Sequence, residues 1–212
     1  MTRAPASDAV AHSPRGIEAL REATNACREC PLGALATQSV VGEGPLRAVL
    51  MVVGEVPGDK EDLAGRPFIG PAGKLFDRAA AELGWRREKL YVTNAVKHFK
   101  YELRGKRRMH KTPAQREIDA CRHWLEDEIE LVRPKAFLAL GGTAARALLQ
   151  RPVAVLRERG SWQADPAGRR VLVTLHPSAL LRGDPSQREE AWAAWLKDLS
   201  MASSLLAPKV TT

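Results

Sequence analysis

The apolar positions of the chain fall into two kinds of stretch. Continuous runs occur over Arg47 to Val53 (RAVLMVV), Leu90 to Thr93, Ala136 to Leu140 (AFLAL) and Val171 to Leu175 (VLVTL). Runs of this length without polar alternation predict strands buried on both faces, as in a parallel sheet. Between them the apolar residues recur at helical spacing. Ile17 to Ala26 predicts a short helix, and Leu75, Ala79 and Leu83 share one face of a helix over about residues 74–83. Thr112-Pro113 predicts the start of a long helix through Leu131, with Thr as N-cap and Pro at the first helical position. Gly141-Gly142-Thr143 leads into a helix ending at Leu149, and a closing helix over Gln187 to Leu199 carries Trp192 and Trp195 on its apolar side.

Four buried strands alternating with helices predict an α/β fold, a three-layer α/β/α sandwich around a central, mainly parallel four-stranded sheet. In that architecture ligands bind beyond the carboxyl ends of the strands. Glu55, Asn94 and His176 all stand at such ends, in three separate segments expected on one edge.

Composition narrows the class. A chain of 212 residues with 44% hydrophobic residues is read as one domain over residues 17–200, between tails at 1–16 and 201–212. No apolar run is long enough to cross a bilayer, and Met1 to Gly16 lacks the apolar core of a secretory signal. The net charge of +8 makes nucleic acid the first partner to consider, through counterion release. The three cysteines, Cys27, Cys30 and Cys121, include a single C-x-x-C pair. So few argue against a disulfide framework and for a reducing compartment, hence a cytoplasmic protein, expected to be monomeric. They also leave a metal site one ligand short.

Two polar segments stand out. Gly54 to Gly73 holds five glycines and three prolines, which leave little room for regular structure. Its backbone is expected to curl closely around a ligand, the plain alternative being a surface loop. It contains neither a P-loop nor a dinucleotide-binding glycine pattern. The second, Lys97 to Lys111 (KHFKYELRGKRRMHK), is strongly basic and carries His98 and His110. It reads as a loop that clamps phosphates or as a solvated patch.

Taken together, Gly54-Glu55-x-Pro57-Gly58, Glu61-Asp62 and Gly65-Arg66-Pro67-Phe68-Ile69-Gly70-x-Ala72-Gly73 resemble the first motif of the iron–sulfur uracil-DNA glycosylases. Thr93-Asn94 and His176-Pro177-Ser178 are similar to the other two motifs of that superfamily, and the resemblance runs from about Cys27 to Arg182. Lys106-Arg107-Arg108-Met109-His110 resembles the insertion that marks its family-X (UdgX) branch. The branch commonly has Gln after the glutamate, where this chain has Val56, which cannot hydrogen-bond.

The resemblance implies excision of uracil from DNA, single strands preferred, with a [4Fe–4S] cluster held by Cys27, Cys30, His98 and Cys121. By donor chemistry alone the thiolates suit zinc as well. A stacked uracil is unreachable, so the base must be flipped into a pocket. Phe68 offers a stacking face there, unless it is simply a core residue. Asn94 presents a donor and an acceptor matching uracil O4 and N3–H, the reverse of cytosine's pattern; otherwise it is a turn residue. His176 is placed to donate to uracil O2 as charge builds on the leaving base, its plain alternative being a satisfied core histidine. Glu55 is the carboxylate for an oxocarbenium-like sugar, with Asp59 second to it. Gly54 and Gly58 would lie against the substrate, and Arg108, Ser178 and Arg182 near phosphates. Leu180 or Leu181 would wedge the base stack. His110, in the branch, bonds covalently to the abasic site; in an ordinary glycosylase it would position water instead. A non-catalytic DNA-binding module with a structural cluster, or a zinc protein, are the competing readings.

Overall fold

The computed structural model describes residues 16–207. In chain order the elements are α1 (Ile17–Ala26), α2 (Leu32–Leu35), β1 (Leu50–Gly54), α3 (Asp59–Ala64), α4 (Pro71–Glu82), β2 (Tyr91–Asn94), β3 (Tyr101–Arg104), β4 (Arg107–His110) and α5 (Gln115–Val132). There follow β5 (Ala136–Leu140), α6 (Gly142–Leu149), α7 (Val155–Glu158), β6 (Ser161–Ala164), β7 (Arg170–Thr174), α8 (Pro177–Arg182), α9 (Arg188–Ser200) and α10 (Ser203–Leu206).

The expected α/β sandwich is present. The central sheet has five strands rather than four, in the order β2-β1-β5-β7-β6. The four predicted strands run parallel, and β6 adds an antiparallel edge against β7. Strand geometry sends successive side chains to opposite faces. Met51, Val53, Tyr91, Phe137, Ala139, Val171 and Val173 therefore meet Ile118, Leu125 and Ile129 of α5 and the alanines of α6. Leu50, Val52, Val92, Leu138 and Leu172 meet Phe76 and Ala79 of α4 and Trp195 and Leu199 of α9. Burying each of these large side chains stabilises the fold by about 1.5–3 kcal/mol. Among the described residues no helix is long and apolar enough to cross a membrane.

Three local expectations are corrected. The segment read as a basic loop forms the β3–β4 hairpin, with Tyr101 opposite His110 and Leu103 opposite Arg108. The long helix begins at Gln115 rather than after Thr112, because the Glu117 carboxylate reaches back to the Ala114 N–H at 2.6 Å. Part of the stretch taken as a C-terminal tail is seated on the core: Ala202 is buried, and Trp85 Nε1 donates to Ser203 Oγ at 3.0 Å. Of the N-terminal tail, residues 1–15 lie outside the described residues.

Register positions the site. Gly54 pairs with Asn94 and Leu140 with Thr174, so the parallel strands end together. The ladder continues past the strands, Ala95 N–H donating to Gly54 O and Val96 N–H to Glu55 O. Glu55, Asn94 and His176 thus leave the sheet along one edge.

Candidate active site

Beyond that edge lies a cleft of about 720 Å³ lined by Glu55, Gly58, Asp59, Phe68, Asn94, His110, His176, Ser178, Leu181 and Arg182. Asn94 forms part of the floor at 3% exposure. A methyl group on Gly54 would overlap both the Asn94 Oδ1 and the Phe68 ring, so only glycine allows these two side chains to close over β1. Phe68 has a φ of 60°, a left-handed backbone that a bulky residue adopts at a cost of roughly 1–2 kcal/mol. An edge contact to Phe76, centroids 5.8 Å apart at 72°, backs its ring. The strained residue is the candidate stacking platform.

Glu55 is seated at the start of α6, its Oε1 accepting from Thr143 N–H at 2.9 Å. A helix N-terminus favours an ionised carboxylate. Across the cleft, His176 is the N-cap of α8. Its Nδ1 accepts from Ser178 N–H at 3.2 Å and stands 2.8 Å from Ser178 Oγ. With Nδ1 used as an acceptor, the proton of the neutral ring sits on Nε2. Burial first, then the neighbouring His110 and Arg182, push the His176 pKa down to about 4. His176 is therefore a neutral donor at pH 7.

That shift carries a pH dependence. In the unfolded chain the group has the ordinary histidine value near 6.5, so protons bind the unfolded state first as pH falls. The stability present above pH 6.5 is lost as pH drops toward about 4, by up to about 3 kcal/mol from this residue. Urea unfolding at pH 7 and pH 5 checks it. The stability gap between the native protein and His176→Asn narrows at the lower pH.

His110, the last residue of β4, opens to solvent at the cleft mouth. The protein around it still lowers its pKa, through desolvation first and Arg182 after it, with Glu55 opposing. Arg108 lies on the same strand face two residues away, and it is not at the cleft. Its guanidinium bonds Asp59 Oδ1 at 2.6 Å and Asp62 Oδ2 at 2.5 Å and packs over the rings of Phe99 and Tyr101. Two carboxylates, one of them fully buried, hold this cation, which was expected near phosphate. Arg108 instead latches the hairpin onto α3, which sets His110 at the cleft. Arg108→Ala is expected to destabilise the fold by about 1–3 kcal/mol through the bonds lost at Asp62. Thermal unfolding measures that loss.

Of the two candidate wedges, Leu180 packs against the core, whereas Leu181 is 46% exposed and lines the cleft. Glu61 was quoted in the motif without a role. It is 8% exposed and accepts from Gly70 N–H at 2.9 Å, bracing the loop that carries Phe68. A carboxylate flanked by glycines on both sides of a short helix was the available signal.

Two half-buried cysteines and a buried one lie near His98. Trp124 Nε1 donates to Cys27 Sγ at 3.4 Å, and Lys97 N–H to Cys121 Sγ at 3.2 Å. A methyl on Gly33 would overlap Cys27 O and stand 3.5 Å from His98 Cε1, so this glycine lets the imidazole approach the C-x-x-C segment. Among the described residues no three His, Cys, Asp or Glu side chains close on a point, as one bound ion requires. N–H donors aimed at the sulfurs of Cys27 and Cys121 suit thiolate ligands.

Residues 41–200 match the Uracil DNA glycosylase superfamily. A type-4 uracil-DNA glycosylase of Thermotoga maritima is 36% identical over 191 residues, 90% of this chain and 94% of the relative. The type-4 enzyme of Pyrobaculum aerophilum is 35% identical over 192 residues, 87% of this chain and 92% of the relative. A type-5 uracil-DNA glycosylase of the same organism is 33% identical over 154 residues, 65% and 64% of the two chains. A match spanning the whole sheet, with every strand-end motif inside it, means that this chain belongs to the uracil-DNA glycosylase superfamily.

Proposed function

We propose that the protein excises uracil from DNA and that His110 then captures the abasic sugar. The observation carrying this reading is the meeting of Phe68, Asn94, Glu55 and a neutral His176 in one cleft. A flipped uracil stacks on Phe68 while the Asn94 amide matches its N3–H and O4. As the C1′–N1 bond breaks, the electron pair leaves with uracil, and His176 Nε2–H donates to O2 to hold the new negative charge. Glu55, its carboxylate held at the α6 N-terminus, stabilises the cationic sugar. His110, at the cleft mouth, supplies the unprotonated nitrogen that attacks C1′ in this reading.

Cys27, Cys30, Cys121 and His98 would hold a [4Fe–4S] cluster. When bound, the cluster supplies a covalent tie between the N-terminal segment, the β2–β3 connection and α5. Arg182 and Ser178 at the cleft, with Arg104, Lys106 and Arg107 on the hairpin, are the cations and hydroxyl for phosphate, and uracil-containing single strands are the proposed substrate. A conventional multiple-turnover reaction, with His110 positioning water, is the second reading; the similarity to type-4 enzymes favours it.

The test is incubation of cluster-loaded protein with a labelled single-stranded oligonucleotide containing one uracil. The sample is divided between a denaturing protein gel and alkaline cleavage. A labelled protein band that survives boiling in detergent supports capture, and alkali-labile DNA without that band supports turnover. The absence of both products overturns the uracil reading.

A further inference from the structure

Among the described residues one ion pair is wholly shut away from water. Lys97 and Glu128 are both 0% exposed, with Nζ and Oε2 2.8 Å apart. Removing two charges from water costs more than a well-packed apolar pair of the same size, so such a pair is poorly explained by stability alone. Its other contacts indicate what it holds. Lys97 Nζ donates to the backbone carbonyl of Asn94 at 2.7 Å and to Thr93 Oγ1 at 2.9 Å. Glu128 Oε1, in turn, accepts from Gly42 N–H at 2.6 Å. The three donors of the ammonium are thus divided among one carboxylate and the last two residues of β2.

We propose that Lys97 is a positioning residue for base recognition, fixing the peptide of Asn94 so that its amide is presented at one setting. This rests on the reading of the protein as a uracil-DNA glycosylase. Asn94 is otherwise held from the strand side, by the β1–β2 register and the Ala95 N–H bond to Gly54 O, and by a long 3.5 Å bond from Thr93 Oγ1 to its carbonyl. The Ala95 N–H anchors the 94–95 peptide on its β1 side, and the Lys97 ammonium is a second anchor on its carbonyl side. An amide distinguishes uracil from cytosine only while its donor and acceptor stay in register with the base. Lys97 also gives its own N–H to Cys121 Sγ, so one residue joins the base-reading strand end to the cysteine on α5.

Two variants test this. Lys97→Met removes the ammonium, and Lys97→Met with Glu128→Gln removes it without leaving a buried charge unpaired. Cluster content is normalised by visible absorbance and iron per chain. Two quantities are then read: single-turnover uracil release, and affinity for the same oligonucleotide carrying a tetrahydrofuran abasic analogue, which has no base to read. The expected result is a fall in release of roughly tenfold or more, the loss of a buried charge-assisted hydrogen bond, with abasic affinity unchanged. Release equal to the native protein in the double variant overturns the proposal. So does an equal loss of both quantities, which marks a purely structural role. A native protein that binds the analogue but releases no uracil fails at the functional reading instead.

Discussion

Exchanging His176 for asparagine is expected to slow uracil release by about 10²–10³-fold, the usual cost of removing one donor to a developing oxyanion. Asparagine is a good N-cap and can keep the bond from Ser178 N–H, so α8 and the cleft wall are retained. What disappears is the donor at the position of Nε2. The pKa near 4 matters here, because a neutral imidazole that already caps a helix keeps one fixed tautomer across the physiological range. Single-turnover release and binding to DNA with an abasic analogue, measured side by side, separate the outcomes. A large loss of rate with intact binding is the expected result. A loss confined to binding would assign His176 to the sugar–phosphate backbone and leave the departing base without a protein donor.

The parts of the molecule that were legible in the sequence are those set by local pattern. The four parallel strands are continuous apolar runs, and such runs have few alternatives to the interior. Edge strand β6 (SWQA) is half-buried over its first three residues, exposed at Ala164 and carries no alternation, so nothing in its residues announces a strand. The hairpin was hidden for a different reason. Tyr101 to Arg104 and Arg107 to His110 read as solvated basic loop, and they are held by contacts far away in sequence, from Arg108 to Asp59 and Asp62 and from Tyr101 Oη to Leu35 O. The same holds within the site. Glu55, Asn94 and His176 could be placed together because a parallel sheet brings its strand ends together. No spacing rule connects Lys97 to Glu128, 31 residues on, or tells Arg108 apart from Arg107. Side-chain alternation along β4 decides that pair: Arg108 shares a face with His110 and is drawn onto α3, leaving Arg107 outward with Arg104.

That alternation bears on what His110 does. With Arg108 anchored, β4 has little freedom to slide, and the imidazole is delivered to the cleft beside Glu55 and Arg182. Desolvation and Arg182 favour its neutral form, the one with an unprotonated nitrogen. His110→Ser is expected to abolish the detergent-stable protein–DNA band while leaving uracil release, because serine at the end of β4 is too short to reach C1′ and vacates room for water. In the native protein the yield of adduct should fall as pH drops through the lowered pKa, since the protonated ring has no lone pair to give. The balance of the step is simple. In the proposed capture the imidazole nitrogen forms the bond to C1′ that uracil has given up, and the proton on the other nitrogen passes to water. A band that persists in His110→Ser would assign the covalent bond to another residue, and Glu55, the remaining nucleophile beside the sugar, would be the one to test next.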